Sequence, residues 1–128
     1  MKTIDWRTNI IRPDVSQEGF IAEREGIHGS LEFTYLPPLS AATEQIQGKV
    51  EIQQAAGRHE SACDDMSRFV AEYLQTWSEK DAVALDNVRC LRPQLLFRVF
   101  KILCNASGSD TKPGPAKDVK TGETLAGK

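Results

Sequence analysis

The sequence predicts an α+β fold, in which an N-terminal β-hairpin packs on a small bundle of three or four helices and a disordered C-terminal tail follows. Leu31, Phe33 and Tyr35 alternate with polar residues, as in a strand with one buried face. Residues 62–77 place apolar side chains at steps of three and four, as in an amphipathic helix. Residues 107–128 are rich in Gly, Pro, Ser and charge, and hold too little apolar surface to offset the entropy of ordering.

Length and charge indicate one soluble domain, predicted over residues 1–106. The chain has 128 residues, enough for an independent hydrophobic core. Its formal net charge of -2 provides no basic patch to neutralise phosphates, which argues against nucleic-acid binding. No apolar run approaches the roughly 18–20 residues that cross a bilayer, and residues 1–6 lack the apolar core of a signal peptide. We therefore predict a cytoplasmic protein with no membrane and no nucleic-acid partner.

The β-hairpin is predicted over about residues 19–36, with the glycine-flanked stretch 26–29 as its turn. A two-stranded ribbon is only marginally stable alone. The hairpin therefore needs the helices, a further strand from residues 3–12, or a partner chain. Pro13 and Asp14 would end such a leading strand.

A first helix is predicted over about residues 41–56, with Ser40 as its N-cap. Ile46 and Val50 lie four residues apart on its inner side, while its flanks are rich in Gln and Glu. Gly48 destabilises it by roughly 1 kcal/mol relative to Ala. This helix should be amphipathic but weakly anchored. The pattern leaves open whether Gly57 ends it or whether it continues, kinked, into the next helix.

A second helix is predicted over about residues 60–77, and it carries the longest apolar stripe in the chain. The members of the stripe are Ala62, Met66, Phe69, Val70, Tyr73, Leu74 and Trp77. Its opposite face is polar, with Asp64, Asp65, Arg68 and Glu72. If Trp77 is buried, replacing it by Ala should cost roughly 3–5 kcal/mol of stability.

Two further helical segments follow. Asp86 is placed to cap a short helical turn at about 87–91. Pro93 is tolerated in a first turn but not in a helix interior, so a last helix is predicted over about residues 93–105. Its exposed side carries the cations Arg98 and Lys101. Most of the large apolar positions of the two main helices are expected in the core: Phe69, Tyr73, Trp77, Leu91, Leu95 and Val99.

The residues with reactive side chains form no recognisable catalytic, cofactor or metal motif. We expect exposed imidazoles at His28 and His59, because no Ser or Cys nucleophile pairs with them in any motif. His59 and Cys63 could share one helical face, but no second close pair completes a tetrahedral zinc site. An odd number of widely spaced cysteines is not a disulfide framework, so reduced, partly buried thiols are expected at Cys63, Cys90 and Cys104. We predict that the protein is not an enzyme and binds no cofactor.

Several short motifs occur in a fixed order over about residues 31–110. Phe33-Thr34-Tyr35 runs into Pro37-Pro38, and a helical stripe ends in Trp77-Ser78. Leu91-Arg92-Pro93-Gln94-Leu95 opens the last helix, and Ser109-Asp110 follows it. In this order the motifs resemble the small tail assembly chaperones of long-tailed bacteriophages and prophages.

The resemblance implies a non-catalytic protein that binds the tape-measure protein, keeps its helices soluble and assists tail-tube assembly in the bacterial host cell. It also implies absence from the finished particle. We expect the partner contacts at the first helix and in the tail, and self-association stays open. Two alternatives remain: a structural tail or capsid component retained in the virion, and a small regulatory or nucleic-acid-associated protein.

Overall fold

The computed structural model describes residues 10–111, in which a three-stranded antiparallel sheet packs one face against helices. This confirms the predicted α+β class with an N-terminal hairpin. The elements in chain order are β1 (Gln17–Ile21), β2 (Leu31–Tyr35), α1 (Ser40–Ala55), α2 (His59–Tyr73), β3 (Leu74–Trp77), α3 (Leu85–Val88) and α4 (Pro93–Leu103).

The register of the strands gives the sheet two chemically different faces. In the order β1-β2-β3, Ile21 is opposite Leu31 and Phe20 is opposite Glu32. Opposed residues of an antiparallel pair point to the same side of the sheet. The inner face, towards the helices, therefore includes Gly19, Ile21, Leu31, Phe33 and Tyr35. The opposite side is called the outer face below and consists of Glu18, Phe20, Glu32, Thr34 and Thr76.

The predicted helix over 60–77 is wrong in its last turn, because α2 ends at Tyr73 and β3 begins at once. The Tyr73 carbonyl accepts a bond from the Leu36 N–H at 3.0 Å, and the Ser78 N–H donates to the Glu32 carbonyl at 2.9 Å. Without β3, the strand β2 would present an unpaired edge. Pairing with the hairpin therefore overrides the helical spacing of residues 74–77, and this segment provides the third strand that the hairpin needs.

The core lies between the inner face of the sheet and helices α2 and α4. Phe69, Leu95 and Val99 are buried in it, as predicted. Phe100 is 1% exposed and meets the Phe69 ring edge-on, with 5.8 Å between ring centroids. Tyr73, Trp77 and Leu91 are only partly buried against the core.

Trp77 is therefore not the buried anchor that the spacing predicted. It lies at the end of β3, where its Nε1–H donates to the Asp81 carbonyl at 2.5 Å. Because the side chain is half-buried, we expect Trp77→Ala to cost less than the 3–5 kcal/mol typical of a buried aromatic residue.

The predicted helix N-caps are wrong, and the boundary after α1 that the sequence left open is a true helix end. The N-cap of α1 is Leu39, and Ser40 is already helical. Helix α3 begins at Leu85, before Asp86, and neither helix has a side-chain cap. Gly57 has φ +78° and ends α1, which resolves the open boundary in favour of two separate helices.

The last helix starts at Pro93, as predicted, and ends two residues earlier than expected. Asn105 adopts the left-handed conformation, with φ 59°. The Ala106 N–H then donates to the Lys101 carbonyl at 2.9 Å, which closes the helix end. In the described part of the chain, no helix is both long and apolar enough to span a bilayer.

Candidate functional site

Two residues beyond the predicted end of the domain bind the free edge of β1. The Asp110 N–H donates to the Phe20 carbonyl at 2.8 Å, and the Phe20 N–H donates to Ser109 Oγ at 2.6 Å. The Ala22 N–H donates to Asp110 Oδ2 at 2.8 Å. We call Ser109 and Asp110 the C-terminal latch. The predicted start of the flexible tail at residue 107 is therefore wrong for 107–111, and residues 112–128 lie outside the described part.

Arg98 of α4 holds the C-terminal latch in place. Its guanidinium lies 3.1 Å from Asp110 Oδ1, and both side chains are about one-third exposed. The Ala22 N–H and, after it, the Arg98 guanidinium lower the pKa of Asp110 below its ordinary value of 3.8. Arg98 was predicted on the solvated side of α4. Its pairing with Asp110 depends on where the chain goes after the helix, which spacing within the helix does not encode.

Removing the latch carboxylate should destabilise the fold. We expect Asp110→Ala to lower the free energy of unfolding by about 1–3 kcal/mol, because the Ala22 N–H loses its acceptor. Since the folded-state pKa of Asp110 is lowered, this stabilisation is present above pH about 4 and is lost as the pH falls through that pKa. Denaturant titrations at neutral and acidic pH measure it. Asp14→Ala, at an exposed acid near β1, is the control, and an equal loss in both variants would contradict the assignment.

The outer face of the sheet forms the floor of a groove of about 440 Å³. Thr34 and Thr76 are among its lining residues, with 2.6 Å between their hydroxyl oxygens. The C-terminal latch and the Trp77-Ser78 end of β3 also line it. Residues with carboxylate, hydroxyl and aromatic side chains line the groove.

A second groove, of about 390 Å³, lies between α2 and the start of α4. Cys63, Leu91 and Leu96 contribute apolar surface, and His59 lies at its rim. His59 and Cys63, which were predicted to share one face of a helix, therefore line the same groove. No group of three potential ligands for a metal ion was found within residues 10–111.

Of the acidic residues that were predicted on the solvated face of α2, Glu72 is exposed and Asp64 is partly exposed, but the prediction is wrong for Asp65, whose side chain is 18% exposed against α1. Asp64 lies 2.8 Å from Arg68 and 2.7 Å from Arg89, which links α2 to the segment after α3. Arg68, and then Arg89, lower the pKa of Asp64. Asp65 lies 3.5 Å from Lys49 of α1. These pairs orient the helices, and they are not arranged around a reacting group.

The histidines and cysteines differ from one another in exposure. His28 was predicted to be exposed, but it is 7% exposed, because its backbone pairs with Arg24 across the loop and turns the ring inward. His59 is exposed, as predicted. The three cysteines are free, as predicted. Cys63 is partly buried and Cys104 is buried, but the prediction of a partly buried thiol is wrong for Cys90, which is exposed. Burial raises the pKa of the Cys104 thiol to about 11, so this thiol is unreactive at neutral pH.

Few residues anchor helix α1 in the fold, in agreement with the prediction of weak anchoring. Only Thr43 and Val50 are buried, and Ile52 is 66% exposed. Uncharged residues recur along its exposed side at steps of four and three. We call this stripe the α1 seam, and its members are Ala41, Gln45, Gly48, Ile52 and Ala55.

Comparisons of the chain with family models, with curated proteins and with solved structures found no match.

Proposed function

We propose that this protein is a non-catalytic tail assembly chaperone that acts in the cytoplasm of a bacterial host. In this proposal it binds the tape-measure protein through helix α1 and assists tail-tube assembly. The resemblance over residues 31–110 provides the family and the partners. The observation that carries a helix-binding role is the α1 seam with its exposed Ile52.

The spacing of the α1 seam supports a helical partner. Steps of four and three keep side chains on one side of a helix, the pattern by which two helices meet along a seam. Small residues at Ala41, Gly48 and Ala55 let a second backbone approach closely, while Ile52 offers an apolar anchor between them. Charged residues such as Glu44 and Glu51 flank the seam, as polar residues flank an interface core.

The anchoring of α1 also suits a role in binding. The helix packs mainly on α2, through its buried side and the Lys49–Asp65 ion pair. Exposed ion pairs contribute little to stability. A partner helix can therefore dock on the seam without dismantling the core around α4.

The test is binding of a synthetic helix from a bacteriophage tape-measure protein. We expect Ile52→Asp to weaken binding tenfold or more, since a central apolar anchor contributes at least about 1.4 kcal/mol. Stability should change by about 1 kcal/mol or less, because Ile52 is exposed and the cost is limited to helix propensity and the helix dipole. Titration calorimetry gives the affinity and denaturant unfolding gives the stability.

Phe97→Asp is the matched control, because Phe97 is the exposed aromatic residue of α4, away from the seam. It should leave the affinity unchanged. Equal affinity of the parent and Ile52→Asp, or an equal loss in both variants, would contradict binding through α1. Recovery of the protein from purified, mature particles would contradict the chaperone role itself.

A further inference from the structure

We propose that this chain pairs with a second copy of itself along strand β3. The two β3 strands run antiparallel in the pair, so that the two three-stranded sheets join into one sheet of six strands. This pairing is independent of the proposed chaperone function, because it uses the edge of the sheet and not helix α1.

The two edges of the sheet differ in what covers them. The C-terminal latch occupies the edge of β1, where it bonds to the backbone of Phe20 and Ala22. Within residues 10–111, the backbones of Gln75 and Trp77 make no hydrogen bond outside the pairing of β3 with β2. Unpaired backbone groups of an edge strand are a template for another strand. The edge of β3 is therefore the side on which the sheet can grow.

The pairing of β3 with β2 fixes which backbone groups point outward. The Ser78 N–H donates to the Glu32 carbonyl, so these two residues form a hydrogen-bonded pair. Hydrogen-bonded and non-hydrogen-bonded pairs alternate along an antiparallel ladder. Trp77, opposite Phe33, is therefore at a non-hydrogen-bonded position of this ladder, and its N–H and C=O point away from β2. They are available to a strand on the other side.

Strand β3 lacks the features that commonly keep a sheet edge from pairing. Charged side chains, lysine above all, and proline protect the edges of many natural sheets. The four residues of β3, Leu74–Trp77, include neither a charge nor a proline. Gln75 and Thr76 are exposed, so the strand is accessible from solvent. Nothing in the strand itself opposes the approach of a second strand.

The charges at the two ends of β3 favour a second copy as the occupant. Glu72 lies four positions before Thr76 and Lys80 lies four positions after it, and within the described part of the chain neither takes part in an ion pair. If Thr76 is opposite Thr76 of the second copy, Glu72 of each copy lies at the same end as Lys80 of the other. Trp77 is then opposite Gln75 of the second copy, which uses its outward backbone groups. A segment with opposite charges on either side of its centre complements itself in antiparallel pairing.

The experiment is sedimentation velocity of the full chain from about 10 µM to about 1 mM, since an interface of two short strands is small and weak. We expect a shift from monomer to dimer as the concentration rises. Thr76→Lys should raise the dissociation constant of the dimer about tenfold or more, because it opposes two lysines at the centre of the paired strands. Thr76→Val is the matched control, since it removes the same hydroxyl without adding charge, and it should stay within about threefold of the parent.

Charge exchange tests the register of the two strands. Glu72→Lys alone and Lys80→Glu alone should each weaken the dimer, because each places like charges at the same end. The double variant Glu72→Lys with Lys80→Glu should restore the dissociation constant of the parent, since the opposite charges have only changed places. Glu79 and Asp81 lie beside Lys80 and are the same in all these variants, so they do not account for a recovery.

Amide hydrogen exchange locates the contact, because the outward Trp77 N–H should exchange more slowly as the dimer forms. A chain that stays monomeric over the whole concentration range would overturn the proposal. So would a double variant that does not recover the dimer. A dimer that persists in Thr76→Lys and is lost in Ile52→Asp would assign self-association to the α1 seam and overturn it equally. Far-UV circular dichroism checks that each variant is folded, and Gln75→Lys replaces Thr76→Lys if the latter is not.

Discussion

Phe100→Ala is expected to lower the free energy of unfolding by about 3–5 kcal/mol. Phe100 is 1% exposed and packs edge-on against Phe69, so it joins α4 to α2 at the centre of the core. Truncation removes the aromatic contact and leaves a cavity that rigid neighbours fill only in part. Denaturant unfolding at neutral pH, followed by circular dichroism, measures the change.

Phe97→Ala is the matched control for this prediction. Phe97 lies three residues earlier in the same helix and is 37% exposed, with Lys101 Nζ 5.4 Å from its ring centroid. We expect a loss below about 1 kcal/mol, since its side chain is far less buried. Comparable losses in the two variants would mean that α4 presents a different face to the core.

Gly19→Ala is expected to destabilise the protein by about 1–3 kcal/mol or more, because the added methyl group has no room. Gly19 is opposite Phe33 in the sheet, and the Phe33 ring lies directly over it, in the position that a Cβ atom would take. The ring must move, and it is itself 3% exposed within the core. Thermal unfolding and denaturant titration both report the loss.

The same substitution at Gly48 should have the opposite sign. Gly48 lies inside α1 with no atom near the added methyl group, so Ala should stabilise the helix by roughly 1 kcal/mol.

The double variant Gly19→Ala with Phe33→Leu should recover part of the stability that Gly19→Ala loses, because the smaller side chain leaves space for the added methyl group. If the double variant loses more stability than the two single variants lose together, the contact between Gly19 and Phe33 is contradicted.

The sequence predicted those elements whose formation depends on local pattern. The alternation of Leu31, Phe33 and Tyr35 identified β2 because one face of the strand is buried and the other is solvated. Pro93 fixed the start of α4, since a helix tolerates proline in its first turn. The weak anchoring of α1 was also predictable, because its apolar residues are few.

The sequence prediction missed the features that depend on contacts between residues far apart in the chain. Residues 74–77 fit a helical stripe, and only β2, about 40 positions earlier in the chain, makes them a strand. The C-terminal latch joins residues 89 positions apart, and a Ser-Asp pair in a Gly-rich segment is otherwise typical of a loop. His28 has the composition of an exposed turn, and its burial follows from the way its loop closes on Arg24.

The expectation that the first helix contacts partners stays a prediction, and the α1 seam names the residues at which it can be tested. The groove on the outer face was not predicted, because it exists only once three separate strands are aligned. Its lining includes Ser109 and Asp110, which were assigned to a flexible tail, so no local signal connected them with Thr34 or Phe20.

The latch has a consequence for the protein while it is being made. Synthesis proceeds from the N-terminus, so the hairpin emerges from the ribosome long before Ser109 and Asp110 do. Until these two residues arrive, the Phe20 and Ala22 amides lack the acceptors that they have in the finished fold. A nascent chain halted before residue 109 therefore exposes the unpaired edge of β1. Unpaired strand edges are sites at which incomplete polypeptides aggregate.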